Sequence, residues 1–382
     1  MKIKILLCKL SITILLISIL NSVHFTSARQ VNPVINNISL TPSKYQVNMT
    51  IIDELREGGG AKDIKIVGDI AYVLSDSGLN IYNVTDPINA SELGHYYTDG
   101  YLGHSIAVYN SHVFTAADDR GLKIFNVTDP SNPELVNTYA TTRPAAIYIY
   151  NNLLFLANWN NDFEIYNITN VPLITELIRF EGNGFSRAYA NRDFAFGFAN
   201  NGNVLILSVT NPEQIEILGQ IEEEEISCIA IDGNIWYTGG SSGIKVFNST
   251  TPSDPVLVTH FPETENSIVT NLAILDGFLY ASDFYQGFRI FEISNSIILS
   301  EIGRNDVGGS PLGFQVGSDI AYVASQIRGI EILKIQIAEI EPDSNATDEG
   351  TFFGTEVVLL GILILGLFSK GREYRRKKES EK

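Results

Sequence analysis

One ten-residue pattern constrains this chain more than any other feature. Gly78-Leu79-Asn80-Ile81-Tyr82-Asn83-Val84-Thr85-Asp86-Pro87 reads as a glycine turn, an alternating apolar strand and a polar Asx/Pro corner. It returns almost unchanged as Gly121-Leu122-Lys123-Ile124-Phe125-Asn126-Val127-Thr128-Asp129-Pro130. Looser copies begin at Asp162, Asn203, Gly243, Gly287 and Gly329. The steps from residue 78 onward are 43, 41, 41, 40, 44 and 42 residues, a seven-fold repeat with a period near 42. Seven units of one kind build one body, which overrides the two or three domains that 382 residues would otherwise suggest.

Each unit holds four short strands. In the second they fall around Ser105 to Tyr109, His112 to Ala116, Leu122 to Val127 and Glu134 to Tyr139, separated by tight polar turns. That is the pattern of an antiparallel meander, one blade of a β-propeller. With 17 Tyr, 20 Phe and 31 Gly, composition favours strands and turns over helices. A single blade exposes too much apolar face to stand alone, so the units must stack around an axis. The seventh unit, Pro311 to Ile335, supplies only three strands, whereas Tyr45 to Asp53 is an orphan with the fourth-strand pattern. Pairing the two closes the ring and covers an edge that would otherwise invite aggregation. The expected fold is therefore all-β, a seven-bladed propeller of four-stranded antiparallel blades closed by the N-terminal strand, plus one C-terminal transmembrane helix. An open β-solenoid is the alternative, but its rungs are shorter and more regular.

The ends of the chain speak to location. Residues 1–28 follow the plan of a secretory signal, with Lys2 and Lys4, an apolar run and small residues up to Ala28. An uncleaved anchor is the other reading, and no lipobox precedes Cys8. Residues 29–44 form a polar linker, 45–337 the propeller and 338–351 a polar stalk. Residues 352–369 are expected to form a transmembrane helix, followed by a basic tail at 370–382. An apolar run of 17 residues from Phe352 to Phe368 reaches about 25 Å as a helix, slightly less than the hydrocarbon core. Lys370, Arg372, Arg375, Arg376, Lys377 and Lys378 hold the C-terminal side in the cytoplasm. The segment also fits a sorting signal removed on attachment to a surface anchor. Either way the propeller faces outward, as an extracellular body on a single-pass membrane protein. Export agrees with the Asn-x-Ser/Thr sequons at Asn37, Asn48, Asn83, Asn89, Asn126, Asn167, Asn248 and Asn345. Asn83, Asn126, Asn167 and Asn248 share one slot of the repeat, where a structural role in the turn is equally open.

Removing both ends leaves 16 basic and 41 acidic residues, a formal charge of −25. Nucleic acid is excluded as a partner, because its binding requires cationic neutralisation of phosphates. Cys8 lies in the leader, so Cys228 has no disulfide partner in the mature chain, and its alternating setting predicts a buried structural thiol.

The strand Gly-Leu-x-Ile-Phe/Tyr-Asn-Val-Thr-Asp-Pro, followed by Pro-x-Leu-Val, resembles the LVIVD repeat of bacterial and archaeal surface proteins. The resemblance spans residues 45–337. It is close in the first two units, looser in the third to fifth and weakest in the last two, where Ser294-Asn295 and Gln336 replace the Asp-Pro corner. It implies a secreted or anchored propeller and carries no catalytic residue to transfer. The order of signal, propeller, stalk, span and basic tail is similar to that of archaeal surface proteins.

No catalytic elbow, phosphate loop, dinucleotide fingerprint, calcium loop or short metal-ligand spacing occurs, so no cofactor is expected. Glu222-Glu223-Glu224-Glu225 falls between two units, where solvated charge is the ordinary reading and a cation site the alternative. Propellers bind through loops at one axial face, so the ligand rim is expected there. Its candidates are His104, Asp118, Asp119, Arg120, Arg143, Asn158, Trp159, Arg187, Asp283, Tyr285 and Arg328. Such a polar and aromatic rim suits an extracellular protein or carbohydrate partner. Two functions follow. One is a membrane-anchored, non-enzymatic binding module. The other is a propeller hydrolase or lyase with an acidic metal site drawn from His104, Asp118, Asp119 and Asp283 at the axial tunnel.

Overall fold

The structure is a computed structural model. It describes residues 44–56, 60–97, 103–117, 121–141, 143–160, 162–182, 184–222, 226–261, 267–294 and 297–340. The expected signal segment, the expected linker up to residue 43, and the expected stalk, transmembrane span at 352–369 and basic tail from residue 341 onward lie outside them. Contacts divide the chain into Met1–Ala338, which holds the propeller, and Glu339–Lys382.

The first strand, β1 (Tyr45–Leu55), stands apart from the blade that follows it. Blade one is β2 (Ala61–Val67), β3 (Ile70–Ser75), β4 (Gly78–Asn83) and β5 (Ser91–Tyr97). Blade two is β6 (Ser105–Tyr109), β7 (His112–Ala116), β8 (Leu122–Asn126) and β9 (Glu134–Tyr139). Blade three runs through β10 (Pro144–Tyr150), β11 (Leu153–Asn158), β12 (Asp162–Asn167) and β13 (Thr175–Glu181). Blade four comprises β14 (Phe185–Ala190), β15 (Phe194–Ala199), β16 (Val204–Ser208) and β17 (Glu216–Ile221). Blade five follows as β18 (Ile226–Asp232), β19 (Ile235–Gly240), β20 (Gly243–Asn248) and β21 (Val256–Phe261). Blade six is β22 (Val269–Leu275), β23 (Phe278–Asp283), β24 (Gly287–Ser294) and β25 (Ile298–Asn305). Three strands remain for blade seven: β26 (Pro311–Val316), β27 (Ile320–Ser325) and β28 (Gly329–Glu339). The fourth is β1, giving the sheet order β1-β28-β27-β26. The seven-bladed ring and its closure by the N-terminal strand are as expected. The closing pair is longer than expected: β1 runs to Leu55 and β28 to Glu339, two residues past the boundary at 337.

Alternation in the signature strand explains how the blades stack. Leu79 and Ile81 point into the seam with blade two, while Tyr82 and Val84 point into the seam with blade seven. Every joint has such a seam, seven apolar clusters in all among the described residues. Between blades four and five, for instance, the fully buried Trp236 packs edge-on against Phe196 at 5.0 Å and Phe194 at 5.7 Å. Burying each large apolar side chain stabilises the ring by roughly 1.5–3 kcal/mol.

The turn glycine and the closure strand share one geometry. Gly121 has φ +78°, and a Cβ there would lie 2.2 Å from the carbonyl oxygen of Tyr139 in the fourth strand of its blade. Gly329 has φ +84°, and its Cβ would lie 2.2 Å from the carbonyl oxygen of Leu55. β1 therefore takes the place that β9 takes in blade two. Its Val47, Met49 and Ile51 join the seam between blades six and seven, while Leu55 joins the seam with blade one.

A chain beginning after residue 56 would leave β28 as an open edge and remove these contacts. Its melting temperature is expected to fall by roughly 10 °C or more, with partial recovery when a peptide of residues 45–55 is added in trans. An unchanged melting temperature would show that β1 does not close the ring.

Candidate functional site

The innermost strands β2, β6, β10, β14, β18, β22 and β26 surround the axis. In six of them the register with the second strand shifts at the second residue, as between Ala61 and Asp63 or Phe185 and Arg187. Such a bulge places two consecutive residues opposite one and re-aims their side chains. Both members of each doublet consequently line the tunnel: Lys62 and Asp63, Ser186 and Arg187, Ser227 and Cys228, Thr270 and Asn271. The resulting cavity has a volume of about 690 Å³ and reaches Trp159 and Gln326 in second-to-third turns.

Many wall side chains hold neighbouring blades together. The Ile106 N–H donates to Asp63 Oδ2 at 3.1 Å, joining blades one and two. Ser105 Oγ accepts from the Ile147 N–H at 3.2 Å. Ser227 Oγ donates to the Val269 carbonyl at 2.8 Å, and Thr270 Oγ1 to the Pro311 carbonyl at 3.0 Å. Gln315 closes the circle: its Oε1 accepts from the Ile66 N–H at 2.7 Å, and its Nε2 donates to the Ile66 carbonyl at 3.1 Å. Blades three and four instead meet through Tyr148 and Tyr189, whose ring centres are 4.8 Å apart. Between β14 and β18 no side-chain hydrogen bond is found among the described residues.

The expected rim divides into four groups. His104, Trp159 and Arg187 do line the cavity. Arg143 has φ +53° just before β10, and its carbonyl accepts from the Trp159 N–H at 3.0 Å. Tyr285 and Arg328 lie in the turns before β24 and β28, and Tyr285 is 58% exposed. Asp118, Asp119 and Arg120 lie outside the described residues, as do Glu223 to Glu225 of the acidic run.

Two expected rim residues do not reach the rim. Asn158 and Asp283 end their second strands with fully buried side chains. The reason is a polar layer set into the seams at the variable position of the signature strand, occupied by Asn80, Glu164, Arg289 and Glu331 in four of the blades. Asn80 Nδ2 donates to Ser75 Oγ at 2.7 Å, and Arg289 Nη1 lies 3.3 Å from Asp283 Oδ2. Arg289 Nη2 also reaches Glu301 at 2.6 Å. Asp283 further accepts from Ser267 and from the Tyr285 and Gln286 amides, so its carboxylate is committed to the blade. It is absent from the cavity wall that His104 lines. The structure thus does not bring those two metal-site candidates together. Among the described residues no group of three or more His, Cys, Asp or Glu is placed to hold a metal ion.

Burial sets the acidity of this layer. It raises the Glu164 carboxyl, partly offset by the Tyr166 hydroxyl at 2.6 Å and by Arg179. It likewise raises Glu331, which Arg328 at 3.5 Å only partly counters while Glu54 and Asp306 push the same way as burial. Burial pushes the Cys228 thiol up to about 12, so this is the inert buried thiol expected.

The shared sequon slot has a structural role. Asn83 Oδ1 accepts from the Thr85 N–H at 2.9 Å and its hydroxyl at 2.7 Å, and Asn126 and Asn248 repeat both bonds with Thr128 and Thr250. Asn167 makes the backbone bond to Thr169 at 2.9 Å. Asn48 is exposed on β1 and Asn89 bonds Asp86, while Asn37 and Asn345 lie outside the described residues.

Closed ring and axial cavity define a β-propeller. Three of its units match the LVIVD repeat family, at residues 58–98, 103–141 and 268–307. The third match is the sixth unit, one of the two where the weakest fit is expected. That unit keeps Gly287 at the turn, whereas the third and fourth units carry Asp162 and Asn203 there. Among solved structures the chain is similar to the computationally designed Ika8 protein, with 12% identity, TM-score 0.58, and coverage of 74% of this chain and 99% of that one. It is similar to the RRP9 WD40 repeats at 10% identity and TM-score 0.58, covering 76% of this chain and 97% of that one. At such identities the likeness is one of fold. No curated protein matches the chain.

Because the folded Glu331 binds its proton more tightly than the unfolded chain does, its contribution to stability is fully present below the ordinary glutamate range. It is lost as pH rises through the raised folded value. Glu331→Gln is therefore expected to gain melting temperature relative to wild type between about pH 4 and about pH 7. A constant difference across that window would contradict the assignment.

Proposed function

We propose that the chain is a membrane-anchored, extracellular binding module without enzymatic activity, engaging a protein or glycan at the face where the axial cavity opens. The observation that carries this reading is the cavity. Its wall positions differ from blade to blade, whereas the positions that build the seams repeat. A volume of about 690 Å³ with mixed polar and apolar lining falls within the range of small-ligand sites. The extracellular setting draws support from the leader, the sequons, the apolar segment at 352–369 and the basic tail. The non-enzymatic reading is favoured because the Asp283 carboxylate is spent on Arg289, Ser267 and two backbone amides inside blade six.

Intact cells displaying the full chain should bind members of a glycan array or labelled envelope proteins. Protease applied outside the cells beforehand should abolish that binding. Trp159→Ala, at the cavity mouth, should weaken it about fivefold or more, and Leu177→Ala on outer strand β13 should leave it unchanged. Binding that survives Trp159→Ala and fails with Leu177→Ala would place the ligand elsewhere.

A further inference from the structure

The cavity wall is cationic in a chain that is not. Lys62, Lys65 and Arg187 face the single carboxylate of Asp63 among the described lining residues, whereas the whole chain has 44 acids against 26 lysines and arginines. Three of those four charges are already engaged. Lys65 Nζ lies 3.1 Å from Asp63 Oδ1, and Lys62 Nζ lies 2.9 Å from Asp76. Arg187 differs. It is only partly exposed, yet no carboxylate among the described residues pairs with its guanidinium.

Its location frees it from a structural duty as well. Arg187 lies on β14, at the inner joint that lacks a side-chain hydrogen bond to the next blade. Its neighbour across that joint is Cys228, where burial disfavours the thiolate, and among the described residues no carboxylate faces the guanidinium there. An unpaired guanidinium held in a walled cavity loses hydration without regaining a partner, and an incoming anion would supply one.

We infer that the cavity takes a small organic acid of sugar size, with its carboxylate bound by Arg187. The inference rests on the axial-face reading above and narrows its ligand class. A planar guanidinium fork matches a carboxylate in a bidentate pair. A phosphate dianion would call for several free cations, and both lysines are taken. The rest of the cavity suits a hydroxylated ring: the amide of Asn271 lies in the wall, and Trp159 offers a flat apolar face at the mouth.

Titration calorimetry of the purified full chain with glucuronate, glucose and inorganic phosphate tests this. Glucuronate is expected to bind, and Arg187→Gln to weaken it about tenfold or more. Arg187→Lys, which keeps the charge and loses the fork, should fall between, and glucose should bind at least tenfold more weakly than glucuronate. Unchanged melting temperatures for both variants would separate lost recognition from lost folding. Phosphate binding as tightly as glucuronate and failing with Arg187→Gln would overturn the carboxylate assignment. Equal affinity for glucose and glucuronate, indifferent to Arg187→Gln, would overturn acid recognition while leaving the axial site standing. Absence of sugar binding overturns the inference too, and the Trp159→Ala result on cells then decides separately whether the axial face binds anything.

Discussion

A four-stranded blade is apolar on both faces, and only a neighbour on each side removes both from water. That requirement has no end in a linear stack, so the chain resolves it by closing. Everything else in the molecule depends on that closure. The seven seams each take alternate residues from two consecutive blades, and the last is possible only because β1 returns to complete blade seven. Gln315 performs the same closure at the axis with two hydrogen bonds to one residue of blade one. The outer strand thus completes blade seven and packs chiefly against blade six, while the inner strand latches blade seven to blade one.

Closure also divides the labour among positions. Seam positions must be apolar and of fitting size, which makes the units alike. The doublets at the inner bulges face the axial cavity rather than the seams, so they are free to differ. Some have become latches, as with Asp63, Ser227 and Thr270. Arg187 has not. The polar layer between the blades is a third class: Glu164, Arg289 and Glu331 are buried charges whose partners lie on nearby strands and turns of the same blade. Ion pairs of this kind contribute little net stability, but removing one partner leaves a costly buried charge.

How much of this could be read from the residues follows from the same division. The ring, the blade number and the closing strand were legible because seam positions repeat every 42 residues or so, and a missing fourth strand at one end matched an orphan at the other. His104, Trp159 and Arg187 were legible as axial residues because they sit at the start of a first strand or in a second-to-third turn. Asn158 and Asp283 were misplaced. A polar residue before a turn looks solvated, and nothing in the local pattern tells that its carboxylate or amide turns inward toward the variable residue of the next strand. The bulges were missed as well, although doublets such as Lys62-Asp63, Ser186-Arg187 and Thr270-Asn271 break the alternation at the same point of their units. The cavity charges that balance do so within blade one, Lys65 on Asp63 and Lys62 on Asp76, whereas which charges surround Arg187 depends on how neighbouring blades meet.

The central claim is that repeated residues build the ring while the unrepeated axial wall receives the ligand. A crystal structure of the propeller with its captured ligand tests that most directly. Ligand density on the axis, touching Arg187 of β14 and Asn271 of β22, is the predicted result. Density on the outer strands or the opposite face, with only water in the cavity, would contradict it.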